Sequence, residues 1–397
     1  MPGIAESETP APGFSLVLGG PLFQLFCRAR LCDDAMKLLR QRIVVLVAVC
    51  WLPLLVLSAI EGRLLPGSVP VPFLYDIEAH VRFLVALPLL IAAELMVHQR
   101  LGLLVRLFTD RELIPEAELP RFEAARASAA RLRNSVLPEL LLIAFVYTVG
   151  ILVVWRRFLA LDGTWYTGTS GVGSELSLAG RWYAYVALPL FQFLLLRWYF
   201  RVFIWARFLW QVSRVRLQLV PTHPDRAGGL GFLGATGPAF GLLLLGQGTL
   251  VSGQLANRIF FMGSQLTEFR YEALMYVVFV LLAVTLPLAV FVPQLARAKR
   301  MGRAEYGNLA NRYMREFDSK WVRGRAPAEE PLIGSADIQS LADMGNSYSV
   351  VQEMAIYPIS RNGLFQLVVL AAAPLLPLVL TIMPLEELLK KLFGILL

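Results

Sequence analysis

Five residues carry ionisable chemistry where apolar surroundings make it costly: Glu94, His98, Glu139, His223 and Asp225. Each lies in or beside a long apolar run, and a charge within a membrane span tends to be functional. Glu94 and His98 are four apart, hence on one face of a helix. The topology argued below sets all five at similar depth, near the cytoplasmic ends of three helices. Two imidazoles and three carboxylates at one depth have the chemistry to ligate a divalent metal or to relay protons. Each also has a plainer account: Glu139 follows Pro138 at a helix entry, His98 adjoins Gln99 and Arg100 in the headgroup layer, and Glu94 can pair with Arg197. No HExxH, GxSxG, Walker or GxGxxG pattern stands in a suitable place. An enzyme therefore has this constellation alone behind it, and no cofactor can be named.

The second candidate is a helix rather than a cluster. Gly228, Gly229, Gly231, Gly234, Gly237, Gly241, Gly246, Gly248 and Gly253 punctuate the fifth apolar run, and Gln247, Thr249, Ser252, Gln254 and Asn257 gather toward its outer end. A glycine inside a helix costs roughly 1 kcal/mol relative to alanine, so nine of them need a reason. One reason is close packing, for which Gly237 and Gly241 supply a GxxxG pair. The other is a helix lining a hydrated path, where amides and hydroxyls replace water. At the mouth of this run stands His223-Pro224-Asp225-Arg226. Its first three residues resemble the J-domain signature, which sits between two antiparallel helices and engages a chaperone partner. Pro221 and the glycines that follow do not supply those helices. The local physics instead points to a helix start, with Asp225 facing the positive end of the helix dipole.

The elements that must position these residues are membrane helices. Hydrophobic residues make up 57% of the chain and charged ones 17%, against roughly 25% charged in a soluble domain. Apolar runs at 43–60, 83–97, 136–155, 182–196, 230–251, 271–292 and 364–383 approach the ~20 residues that span hydrocarbon. The expected fold is an all-α bundle of about seven membrane helices. In a seven-span arrangement with the N-terminus inside, segments 1–42, 99–135, 198–229 and 294–362 hold 27 of the 37 Lys and Arg, and the outer loops and tail, with the second helix starting near Tyr75 or Asp76, hold 8. That asymmetry sets the N-terminus in the cytoplasm and the C-terminus outside. It also explains the net charge of +8 by contact with anionic lipid at the inner face, without nucleic acid. Cys27, Cys32 and Cys50 show no disulfide or zinc spacing. The excess of Arg over Lys fits a GC-rich bacterial genome and so a bacterial inner membrane. Arg197, Arg201, Arg207, Arg214 and Arg216 lack the three-residue period of a voltage sensor and read as interfacial anchors.

Three units follow: a membrane bundle at 1–293, a helical cytoplasmic insert at 294–362, and a last span with an amphipathic tail at 363–397. In the insert, breaks at Pro327 and Pro331 precede a helix starting at Ser335 or Asp337, whose Ile338, Leu341, Tyr348 and Val351 share an apolar face for the underside of the bundle or a cytoplasmic partner. The tail after Pro384 pairs Glu386 with Lys390 and Glu387 with Lys391, opposite a leucine stripe that needs lipid or a second copy of the chain. Residues 223–233, 338–347 and 384–389 resemble segments of an uncharacterised group of bacterial multi-pass membrane proteins. The resemblance implies membership and brings no activity with it. A channel or transporter built around the fifth span is the leading expectation. A metal-dependent membrane enzyme and a scaffold using 294–362 are the alternatives.

Overall fold

The computed structural model describes residues 14–28, 39–150, 152, 164–167 and 176–381. Among them the β pairing is limited to two isolated bridges, and the architecture is helical. In chain order the helices are α1 Pro21–Arg28, α2 Leu39–Ile60, α3 Ile77–Asp110, α4 Glu116–Asn134, α5 Val136–Gly150 and α6 Leu178–Val212. There follow α7 Gly231–Ala239, α8 Gly241–Met262, α9 Leu266–Val322, α10 Ala336–Glu353 and α11 Arg361–Val379. Five of these, α2, α3, α6, α9 and α11, are long and apolar enough to cross a membrane. The pairs α4–α5, bent by 45°, and α7–α8, bent by 40°, bring the number to seven if each is one span. The chain is thus a helical membrane protein. Cys32, the glycine-rich stretch at 168–173 and the amphipathic helix expected after Pro384 lie outside the described residues.

Local chemistry sets the helix ends. The Asp76 side chain accepts from the Ala79 amide at the start of α3, Ser177 from Gly180 at the start of α6, Ser335 from Asp337 before α10, and Ser360 from Gly363 before α11. Gly263, at φ 69°, closes α8 with the left-handed residue that glycine adopts without strain. Connections alternate between the two ends of the bundle, as repeated crossings require. At one end Arg63 reaches the carbonyl of Thr167, and Asn257 Nδ2 donates to Asp76 at 2.7 Å. At the other, the Gln218 amide donates to the Leu113 carbonyl at 2.8 Å and the Ala355 amide to the Arg226 carbonyl at 2.6 Å.

Helix α9 is 57 residues long. At 1.5 Å per residue that is about 85 Å, far beyond a hydrocarbon core of about 30 Å. It passes residue 294 without a loop, so the first part of the insert is a direct continuation of the bundle. Its distal part turns back through 323–335 into α10, and the two form a hairpin. Gly307 lies under the ring of Tyr348, Gly302 lies against Val351 and Pro221, and Asp337 at the head of α10 accepts from Lys320 Nζ at 2.8 Å and Trp321 Nε1 at 2.9 Å. Of the apolar face expected on α10, Val351 is buried and Ile338 is exposed, so that face is covered mainly near the bundle.

The core is concentrated around α6, whose apolar window is 61% buried against 17% for α11. Its hairpin-end half packs an aromatic layer of Phe14, Phe122, Trp205 and Phe208, with Phe14 and Phe208 centroids 4.9 Å apart. Phe14 comes from the segment before α1, which sequence reasoning left without a structural role. It folds back into the bundle because three apolar residues, Phe14, Leu16 and Val17, are followed by two glycines with positive φ, Gly19 and Gly20, that let the chain turn under α5.

Candidate functional site

The densest polar chemistry in the interior is an ion-pair cluster at the hairpin end. Glu94 from α3 faces three guanidiniums. Arg201 Nη2 lies 2.8 Å from Glu94 Oε1, Arg197 Nη1 lies 3.5 Å from the same oxygen, and Arg42 of α2 pairs with Oε2. Arg197 also donates from Nε to Glu139 Oε1 at 2.9 Å, and Glu139 Oε2 accepts from the Leu22 amide at 2.9 Å. Five side chains from α2, α3, α5 and α6 thus join into one network, and the start of α1 docks on it. Arg197, Arg201, Glu94 and Glu139 are all buried, so Arg197 and Arg201 are not the interfacial anchors their spacing suggests. The reason is periodicity. Positions 194, 197, 198, 201, 205 and 208 follow the 3–4 spacing of one helix face, and on α6 that face points into the bundle.

The cluster encloses little space. A cavity of about 10 Å³ is lined by Arg42, Glu94, Arg197, Trp198 and Arg201. A single water needs roughly 10–15 Å³, so this is room for one water at most. Arginine does not give up its proton in a protein, and a carboxylate held by three guanidiniums has no neighbour to pass a proton to. What the arrangement does is fasten four helices where their apolar faces alone would allow sliding.

The remaining ionisable candidates lie elsewhere. His98 Nδ1 is 2.9 Å from Ser15 Oγ, on the segment before α1. His223 Nδ1 is 2.8 Å from Asp225 Oδ1, within its own turn. The set Glu94, His98, Glu139, His223 and Asp225 is therefore divided among three environments, and only Glu94 and Glu139 share a partner. Among the described residues no three of His, Cys, Asp or Glu are grouped to hold a metal ion.

Asp225 organises the turn that the sequence marked at the helix mouth. Its Oδ1 accepts from the amides of Ala227 at 2.8 Å and Gly229 at 3.1 Å, and its Oδ2 from Gly231 at 2.8 Å. Partial burial opposes ionisation here, but these three amides and His223 outweigh it and hold the carboxyl below its ordinary range. The backbone must run left-handed at Arg226, φ 52°, and at Gly228 and Gly229, φ 64° and 98°. A Cβ on Gly228 would also lie 2.9 Å from the Met354 methyl. The turn seats the hairpin. The Arg226 carbonyl accepts from the Ala355 amide, Arg226 pairs with Glu353 at 2.8 Å, and Lys299 Nζ donates to the Met354 carbonyl at 2.6 Å. The expectation of Asp225 near a helix start holds locally, since Gly231 opens α7. Its partners are the amides of the turn.

Helix α8 lies between α3 and α11, and its glycines divide between them. Gly241 and Gly248 of α8 approach Leu370 and Ala371 of α11, as Gly234 and Gly237 of α7 approach Ile359, just before α11, and Leu367 of α11, whereas Gly246 and Gly253, seven apart, approach Leu90 and Val81 of α3. Of the polar residues, Gln247 is buried beside Tyr199. Thr249 donates to the Gly246 carbonyl of its own helix, while Ser252 and Gln254 are half-buried. Asn257 belongs to a second cluster that sequence reasoning missed, at the end away from the hairpin. There Asp76 is buried and accepts from Asn257 Nδ2, from Trp165 Nε1 at 2.8 Å and from the Ala79 amide at 3.1 Å, and Arg82 joins Glu78 to Tyr183. The signal available in the sequence was Asp76, Glu78 and Arg82 at the opening of an apolar helix. Compared with known proteins, no family model, no curated protein and no solved structure matches this chain.

Proposed function

We propose that this chain anchors a cytoplasmic protein at a bacterial inner membrane, using the hairpin of α9 and α10 as the holding surface. The observation that carries the reading is the tip of that hairpin. Val322, Leu332 and Ile333 are exposed there, Ile333 at 90%. Exposed apolar side chains clustered away from lipid mark a contact surface. Arg323, paired with Asp318 at 3.0 Å, Arg325, Glu329 and Glu330 surround them, so the partner carries an apolar pocket with a polar edge of both charges. The clasp of Lys320 and Trp321 on Asp337 holds the tip in shape. The distribution of Lys and Arg supports a cytoplasmic hairpin, and residues 223–233, at its base, belong to the stretches that resemble other bacterial membrane proteins.

A path for an ion or small solute along α8 is the rival reading. Its support weakens where Gln247 is buried against Tyr199, Asn257 is bonded to Asp76, and the glycines are filled by neighbouring side chains. A photo-crosslinking residue in place of Ile333, in the full chain and in native membranes, tests the two together, with Leu140 on the lipid-facing side of α5 as the control position. The expected result is a discrete protein adduct at 333 that is missing at 140. The identified protein should then bind the purified full chain and fail to bind Ile333→Asp. Equal adducts at both positions, or none at 333, would refute the anchor. A solute flux in proteoliposomes that is abolished by Gln247→Leu would instead restore the path.

A further inference from the structure

Helices α6 and α9 run side by side toward the hairpin, and between them an apolar furrow of about 450 Å³ opens on the lipid-facing surface. Its existence follows from residue size. Ala206 and Ala283 leave the space, Phe203, Phe279 and Leu286 form exposed walls, and Tyr199 closes one end with its ring 5.9 Å from that of Phe279. The furrow is open to the surface rather than enclosed. A furrow lined this way, at membrane depth, takes a hydrocarbon chain.

The end nearest the hairpin has the opposite character. Trp210 lies four residues beyond Ala206 and seven beyond Phe203, so it continues the same stripe about 6 Å further on. The guanidinium carbon of Arg214 stands 5.2 Å over its ring. Gln294 of α9 donates from Nε2 to the carbonyls of Ser213 at 2.7 Å and Val215 at 2.9 Å, on either side of Arg214. Arg297, three residues beyond Gln294 and exposed, is thereby brought to the same corner. An apolar furrow, an interfacial tryptophan and two exposed guanidiniums stand in the order in which a phospholipid presents its chain, glycerol and phosphate.

We propose that this furrow binds one anionic phospholipid of the leaflet on the hairpin side, its acyl chain along Ala206 and Ala283 and its phosphate on Arg214 and Arg297. The site is independent of what the hairpin tip holds. It is tested on the full chain in detergent, by native mass spectrometry with phosphatidylglycerol and phosphatidylcholine of identical chains. Two guanidiniums at the interface give a preference for phosphatidylglycerol of roughly thirtyfold. Arg214→Gln with Arg297→Gln should abolish that preference and leave both lipids weakly retained, whereas Arg323→Gln, at the hairpin, should leave it intact. Ala283→Phe fills the furrow and should release either lipid, while its melting in lipid-free detergent stays that of the parent. A wild-type protein without headgroup preference, a double variant that keeps it, or an Ala283→Phe protein that still holds one lipid as tightly as the parent would each overturn the site.

Discussion

Glu94→Gln is the sharpest perturbation of the interior, because it keeps the shape of the side chain and removes the charge that faces Arg42, Arg197 and Arg201. Arg197 retains Glu139, 2.9 Å away, so the loss falls mainly on Arg201, which is 3% exposed and is otherwise stacked on Trp198 at 4.7 Å. Two unit charges about 4 Å apart interact by roughly 4 kcal/mol at an effective dielectric constant near 20. Breaking a buried pair by removing one partner costs about 3–5 kcal/mol. The expected destabilisation of Glu94→Gln is therefore about 3–5 kcal/mol, read as a lowered unfolding midpoint of the purified full chain followed by tryptophan fluorescence. Adding Arg201→Gln removes the charge left behind, so the double variant should be more stable than the sum of the two single losses by at least about 1 kcal/mol. A Glu94→Gln protein within about 1 kcal/mol of wild type, or a pair of losses that adds within about 0.5 kcal/mol, would show that the cluster does not fasten the helices.

Asp225→Asn should cost about 1–3 kcal/mol in the local stability of the turn, because an amide NH2 must then face one of the backbone amides of Ala227, Gly229 or Gly231. Faster hydrogen exchange at those three amides is the readout. The carboxyl is held below its ordinary range, so its stabilising effect is complete above the unfolded pKa of about 3.9 and is lost only as pH falls through the lower folded value. Exchange protection that fell between pH 8 and 5 would contradict this. Gly248→Ala places a Cβ 2.8 Å from both the Ala371 carbonyl and the Pro374 ring and should lower the melting temperature, whereas Gly345→Ala, in open space within α10, should raise stability by up to about 1 kcal/mol. Equal effects would mean that the α8 glycines are not packing contacts. In a background without native cysteines, a cysteine at Gln265 should react with an impermeant reagent on intact cells and one at Pro327 only after lysis. The reverse pattern inverts the topology.

Much of the architecture was legible in the chain because its cause is local. Hydropathy over some twenty residues marks a helix that can cross a membrane, and a capping serine marks its start, as at Ser335. The glycines of α8 left two readings open in the sequence, close packing or a hydrated path, and the neighbouring atoms against Gly246, Gly248 and Gly253 favour the first. Pairing of Glu94 with Arg197 was within reach as well, because opposite charges in two apolar helices have few other partners.

What the sequence by itself determined, then, is a helical membrane protein, its helix ends and the positions where charge enters its spans. Only the tertiary structure decided how those charges are distributed. It gave Glu94 three arginines, closed His223 onto Asp225, tied Asn257 to Asp76, and returned Phe14 to the core. The side chains that bind Glu94 and Asp76 are separated from them by 52 to 181 residues. Such contacts depend on the rotation of each helix about its axis and on its depth beside its neighbours. Both are set by the packing of whole faces, which no window along the chain contains.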